Sequence, residues 1–477
     1  MKSLKVKKNL LLIGLMALAP LFFITASTHS QTLPTKAQIL AKMKLANDYF
    51  MTNKANAPCT GCLSGNHSSN IWTRGVYYEG NLAYYAVSKD TAAVNNAVAW
   101  GTFHAWGLNG GTTTTDADNQ CAGQSYIDLF RLDPTQTQRI ANIKTCIDAI
   151  VGSSTVNYWT WIDALQMGMP VYAKLGKQYN STGYFNKMYS LYNYTKTTLA
   201  LYNTTDHLWW RDATFINSKT PAGKSVYWSR GNGWVFAALA RVLTELPASD
   251  SHTAEYQTIL KDMAAALKAV QRSDGFWNEN LADSTNYGGK EVTGTGLFTF
   301  GMAWCVNNGL LAKNDYLATI AKAWNGIADS AIHTNGFLGY VQGTGSKPGD
   351  MGSATGLPTY NSVPDFDDYG LGCVLLAGSE VAKLSDATSI GSTPGAARFH
   401  ANAPMVCFSQ GCLTVAAGEL APAHVLVSDA MGRVVLKKEI TGPEVVALPS
   451  NAANGVYIVR IDAGGKNAAF DKFTMVK

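Results

Sequence analysis

His207-Leu208-Trp209-Trp210, Gly275-Phe276-Trp277 and Gly336-Phe337-Leu338-Gly339-Tyr340 follow one another at intervals of about 60–70 residues. Each lies between stretches whose apolar residues recur at helical spacing, so each marks a loop between helices, and one repeat corresponds to two helices. Counting such patterns outward predicts twelve helices, near 34–52, 71–88, 91–106, 121–131, 135–150, 159–175, 179–197, 229–245, 252–271, 292–310, 312–331 and 367–384. One carries Ile140, Ile143, Ile147 and Ile150 on a single face, with Asp133-Pro134 as expected N-cap and first helical residue and Gln136 placed to close a capping box. Another carries Tyr256, Ile259, Leu260, Met263, Leu267 and Val270. Six helix pairs closing on themselves make an all-α (α/α)6 barrel over 31–388, in which loops and helix ends gather on one concave face. An open helical solenoid is the alternative.

The flanks read differently. Lys2, Lys5, Lys7 and Lys8 precede an apolar run broken by Pro20 and ended by Ala26-Ser27-Thr28, the layout of a secretory signal peptide over 1–30. That predicts a chain exported to the outside or to the cell surface, with the periplasm as the alternative. The leader holds four of the lysines and no acid, so its removal takes the formal net charge from +5 to +1, which gives no reason to expect a nucleic-acid partner. All twelve tryptophans fall between Trp72 and Trp324. Residues 389–404 read as a linker. Beyond it, Ala423 to Val427, Val434 to Glu439, Val445 to Leu448 and Val456 to Ile461 alternate as strands do, with a tight turn expected at Asp429 to Arg433. A small β-sandwich over 405–477 is the expectation. Of the eight cysteines, Cys59 with Cys62 and Cys407 with Cys412 are the nearest in sequence, although spacing alone does not fix pairing.

Three windows between them supply carboxylates, aromatic residues and a rigid cation, the composition needed to hold and protonate a sugar. Asp116 to Gln124 carries Asp116 and Asp118 just before a helix, where an acid also serves as a cap. Tyr158-Trp159-Thr160-Trp161-Ile162-Asp163 places one acid in an apolar, aromatic helix start, where loss of water raises a carboxyl pKa. Tyr227-Trp228-Ser229-Arg230-Gly231-Asn232-Gly233-Trp234 opens another helix with Arg230 and Trp234 one turn apart on one face. Arginine pairs with carboxylates, and tryptophan stacks on sugar rings.

These windows, with Asp206 to Asp212, Asp274 to Trp277 and Lys290 to Thr295, resemble the unsaturated glucuronyl and rhamnogalacturonyl hydrolases of glycoside hydrolase families 88 and 105 over about residues 34–384. The resemblance implies an (α/α)6 barrel that removes a 4,5-unsaturated uronic acid from the end of an oligosaccharide left by a polysaccharide lyase. It places the catalytic acid at Asp163 within Trp161-Ile162-Asp163 and a second acid at Asp118. Trp161, Arg230, Trp234 and Tyr78 are implied as substrate-binding, with Trp210 and Arg211 where some members carry a histidine. It implies no cofactor, and no clustered set of histidines or acids stands at metal-ligand spacing. The tail, with Val427 to Val434 and Gly455 to Val459, resembles a type IX secretion sorting domain, which implies that machinery as a partner. Three other readings stay open. One is an ordinary glycosidase using Asp118 with Asp163 or Glu291. Another is an epimerase, which the scattered His104, His207, His252 and His333 disfavour. The last is a non-catalytic oligosaccharide-binding protein.

Overall fold

The computed structural model describes residues 32–389 apart from 54–59, 62, 64–65, 248 and 367, and beyond them the seven strands between 405 and 475 with 432–433 and 441. The leader, Cys59, Cys62 and all but the first residue of the expected linker lie outside the described residues. The chain divides into two compact units at Gly391/Ser392.

The first unit is helical: α1 Lys36–Asn53, α2 Trp72–Ser88, α3 Thr91–Phe103, the single turn α4 Ala117–Gln120, α5 Ala122–Leu132, α6 Gln138–Val151, α7 Asp163–Tyr179, α8 Thr182–Asn193, α9 Ser229–Glu245, α10 Thr253–Ala269, α11 Val292–Asn307, α12 Lys313–Gly326 and α13 Tyr369–Ser389. Helices α2, α5, α7, α9, α11 and α13 pack each against the next, and α13 returns to α2. The remaining long helices lie one against each of these: α3 on α2, α6 on α5, α8 on α7, α10 on α9, α12 on α11 and α1 on α13. Burial follows the same division. Helix α11 is buried without a break from Val292 to Val306, whereas α10 buries only Tyr256, Ile259, Leu260, Met263, Ala264 and Leu267. An all-round apolar helix belongs inside such a ring and a one-faced helix outside it.

Small residues let the ring close. A Cβ on Gly80 of α2 would run into the backbone of Gly372 in α13, and one on Gly372 into the carbonyl of Val76. The recurring aromatic loops share one construction. In the connection after α10 the Arg272 amide bonds the Phe276 carbonyl at 2.9 Å, and after α12 the His333 amide bonds that of Phe337 at 2.8 Å. Gly275 and Gly336 sit at φ 92° and 95°, each against the carbonyl of a neighbouring helix, Lys322 and Leu45, where any side chain would collide. The corresponding position after α8 is His207, at φ 55°. There the loop is a short hairpin of β1 Tyr202–Asn203 and β2 Leu208–Trp209.

Two helix starts differ from the sequence reading. Asp133 receives the Thr135 amide and hydroxyl and closes a turn, so α6 begins at Gln138 and Gln136 completes no capping box. Proline at 134 suits that turn as well as a first helical residue. Residues 158–162 are not helical, and Asp163 is the first residue of α7 instead of an interior one. A further hairpin, β3 Asp350–Met351 with β4 Ala354–Thr355, lies between α12 and α13.

The second unit holds two antiparallel sheets. β5 Met405–Ser409, β6 Cys412–Ala416 and β9 Glu444–Ala447 form one; β7 Ala423–Asp429, β8 Val434–Ile440, β10 Gly455–Ala463 and β11 Lys466–Met475 form the other, in the order β11-β10-β7-β8. Val425, Val427, Ile440, Tyr457 and Val459 are buried. At the expected turn, the Asp429 amide bonds the Arg433 carbonyl at 2.9 Å. Cys407 stands opposite Thr414 and Cys412 opposite Ser409, so the two are not cross-strand partners. In the helical unit Cys121, Cys146, Cys305 and Cys373 are free and buried. Gly372→Ala is expected to destabilise the chain by about 1–3 kcal/mol through overpacking at the α2–α13 contact, read as a lower midpoint in urea unfolding.

Candidate active site

The site is assembled where α7 begins. Trp161 pairs across to Asp212, and the Ile162 amide donates to the Arg211 carbonyl at 2.9 Å. This short ladder fixes the chain that follows β2 beside the first turn of α7. The hairpin is gripped from the ring by Asn232 in the Arg-Gly-Asn-Gly-Trp stretch of α9. Its Oδ1 accepts the Trp209 amide at 2.8 Å, and its Nδ2 donates to the Trp209 carbonyl at 3.0 Å. Gly231 is needed beside it, because a Cβ there would meet the Trp228 ring at 2.9 Å and Ile162 at 3.1 Å.

The result is a charged triad. Arg211 Nε lies 3.3 Å from Asp163 Oδ2, while its Nη1 donates to Asp212 at 2.9 Å. Asp163 is 9% exposed. Its carboxyl pKa is raised by burial, which the guanidiniums of Arg211 and Arg230 and the amide at its own helix N-terminus only partly offset. Its Oδ2 and Arg211 Nε are both buried without a formed hydrogen bond. Asp118, on the turn α4 that packs against α7, accepts no side-chain hydrogen bond among the described residues. Burial pushes it up to about 8, with Asp116 and Asp163 adding and Arg211 opposing. Asp116 is the capping residue of this window: its Oδ1 receives the Asp118 amide at 2.9 Å.

The aromatic residues divide by access. Trp161 and Trp210 are half-buried, and Trp210 lies 5.7 Å from the Tyr227 ring. Trp234 is fully buried and meets half-buried Trp72 edge-on at 6.3 Å, so Trp72 offers the open surface there. Arg230 is 1% exposed, between the rings of Trp228 at 4.5 Å and Tyr369 at 5.2 Å. Its Nη1 and Nη2 donate to the carbonyls of Gln342 at 2.9 Å and Gly343 at 2.7 Å, while Nε is unpartnered. Arg230 thus ties the segment before β3 to the ring and acts on Asp163 through its charge. Tyr78 stands apart from the expected pocket: it is 1% exposed and stacked on Trp100 at 4.3 Å, so its ring faces the packing of α2 on α3.

Other groups bear on the site that sequence reading passed over or read differently. Glu291 caps α11, accepting the Thr293 amide and hydroxyl and the Gly294 amide at 2.6–2.7 Å, so both of its oxygens are engaged in the helix start. Glu279 was not singled out in the sequence, although it follows the Gly-Phe-Trp loop directly. It is 1% exposed, accepts the Gly349 amide at 2.5 Å and keeps Oε1 unpartnered. Burial pushes it up to about 8; the Gly349 amide and Arg230 oppose, and Glu291 and Asp350 add. Unfilled buried atoms on Asp163, Arg211, Arg230 and Glu279 mark a site built to receive polar groups. Among the described residues no His, Cys, Asp and Glu side chains gather in threes fit to hold a metal ion.

The raised Asp118 carboxyl makes a stability prediction. The folded chain keeps its proton up to about pH 8, whereas the unfolded chain releases it near pH 4, so stability from this group falls as pH rises through that window. Asp118→Asn should therefore lose less melting temperature than wild type between pH 4 and pH 8, measured by thermal unfolding.

Comparison with known proteins agrees with this geometry. The sequence profile described as Glycosyl Hydrolase Family 88 matches residues 42–385. The chain is 32% identical to the "Unsaturated 3S-rhamnoglycuronyl hydrolase" of Formosa agariphila over 66% of this chain and 85% of that protein. It is 34% identical to the protein of the same name from an Alteromonas species over 47% of this chain and 51% of that one. The solved "Glycosyl hydrolase family 88 from Bacteroides vulgatus" superposes with a TM-score of 0.65 at 30% identity, covering 73% of this chain and 99% of that one. With the buried acid of α7 inside the matched region, this chain belongs to glycosyl hydrolase family 88 and is a glycoside hydrolase.

Proposed function

We propose that this chain hydrolyses oligosaccharides ending in a 4,5-unsaturated uronic acid, acting from the mouth of an (α/α)6 barrel whose inner ring is α2, α5, α7, α9, α11 and α13. The observation that carries the reading is Asp163: a carboxyl 9% exposed, with its pKa raised by burial and one oxygen unfilled, at the start of an inner helix. Burial favours the protonated form of such a group, which suits it to give a proton. In the reaction proposed, Asp163 gives its proton to C4 of the unsaturated ring, and water adds at C5. The carboxylate left behind takes a proton from that water. The product is a hemiketal, which opens and releases the neighbouring sugar. Asp118 holds the water or the ring hydroxyls. The open faces of Trp72, Trp161 and Trp210 supply stacking surface for sugar rings.

The names of the relatives from Formosa and Alteromonas support a substrate in which the unsaturated uronate is joined to rhamnose, as a lyase acting on ulvan or rhamnogalacturonan leaves it. A two-carboxylate mechanism at the anomeric carbon needs one acid ionised beside one protonated. Burial raises Asp118 and Asp163 alike, which favours hydration over that rival. Export by the leader, and attachment through the C-terminal strands, belong to the same proposal and draw support from sequence alone.

The test follows ultraviolet absorbance of the conjugated double bond while the enzyme acts on lyase-treated ulvan or rhamnogalacturonan. Wild type is expected to bleach the band, and Asp163→Asn to slow bleaching by about 100-fold or more. An unchanged band alongside cleavage of saturated aryl glycosides would instead support the two-carboxylate mechanism.

A further inference from the structure

We propose that Asn232 is a positioning residue for the reaction: by gripping the backbone of Trp209 it sets where the guanidinium of Arg211 stands against Asp163. The inference rests on Asp163 being the acid. Asn232 is fully buried in α9, and each of its polar atoms is engaged: Oδ1 by the Trp209 amide at 2.8 Å, Nδ2 by the carbonyls of Trp209 and Trp228, both at 3.0 Å. A primary amide carries an acceptor and a donor on adjacent atoms, so it can engage the N–H and the C=O of one residue together.

From Trp209 the constraint runs two residues to the site. The Trp210 amide bonds the Leu201 carbonyl at 3.0 Å, and the Arg211 carbonyl receives the Ile162 amide at 2.9 Å. The backbone on both sides of Trp210 is therefore held, one side by α9 and the other by the residue before α7. β1 and β2 comprise two residues each, too short to fix their own position. Asn232 replaces the missing ladder with contacts from the ring. The side chain so delivered ends in an ion pair at 3.3 Å that is not a formed hydrogen bond, so its strength depends on position alone.

The charges that face Asp163 are Arg211 from the hairpin, Arg230 from α9 and Asp118 from α4. Of these Arg230 is locked by Gln342 and Gly343, whereas among the described residues the Arg211 side chain is anchored beyond Asp163 only through Asp212, its own neighbour in sequence. Loosening the hairpin thus moves a positive charge away from the acid. Loss of a facing cation raises a carboxyl pKa, and a general acid stays active up to its pKa. The alkaline limb of kcat/KM must then move to higher pH while the rate itself drops from misplacement.

The experiment compares kcat/KM against pH for wild type, Asn232→Leu, Arg211→Gln and their double variant in the full chain, with circular dichroism and melting curves for each. Asn232→Leu is expected to lose about 10-fold to 100-fold in kcat/KM. Its alkaline limb should move up by about one pH unit, as in Arg211→Gln. The double variant should be no worse than the poorer single one, since both changes remove one interaction. If the leucine variant fails to fold, Asn232→Gln, which keeps the amide one methylene out of place, is read in the same way. A folded Asn232 variant with the wild-type limb, or losses that multiply in the double variant, overturns the proposal and leaves Asn232 a packing residue. Should Asp163→Asn retain full turnover, it is the reading of Asp163 that fails.

Discussion

The hydrogen bond from the Ile162 amide to the Arg211 carbonyl joins two parts of the chain about fifty residues apart at the point where chemistry is concentrated. Without it the first residue of α7 would face solvent at a helix end, where a carboxylate is stabilised by the amides and the dipole and stays ionised. With it, Arg211 is brought to 3.3 Å from an Asp163 that is only 9% exposed. The helix end alone favours the anion; the enclosure favours the acid. Burial prevails here, opposed in part by the two guanidiniums.

The ring of helices makes this enclosure sustainable. Glycines at Gly80, Gly372 and Gly233 bring inner helices together at backbone distance, and this rigid frame supplies fixed anchors for irregular loops. Asn232 and Arg230 are two such anchors on one helix, one directed to the hairpin after α8 and the other to the segment before β3. Loops tied at both ends to a rigid support can hold desolvated groups in place without regular structure of their own.

Sequence periodicity made the twelve long helices legible, because an apolar stripe is a property of one segment and needs no partner to be seen. The acids at Asp118 and Asp163 were legible for a similar reason, each standing out within its own window. What was hidden depends on distant pairs. That Arg211 faces Asp163 follows from a bridge between Trp161 and Asp212, and that Asn232 is gripped by Trp209 follows from a contact across the ring. The family resemblance put Tyr78 in the sugar pocket, yet its position on α2 turns it to Trp100. Asp133-Pro134 carries cap and turn signals alike, and the structure takes the turn, with Asp133 bonding the Thr135 amide.

Cys121, Cys146, Cys305 and Cys373 sit on or beside α5, α6, α11 and α13, each at most 1% exposed. A thiol so enclosed reacts only when its helix parts from its neighbours. The helical unit therefore carries four intrinsic clocks, two at the α5–α6 pair and two on the neighbouring α11 and α13, whose labelling rates record whether one of these sides opens before the other or both come apart together.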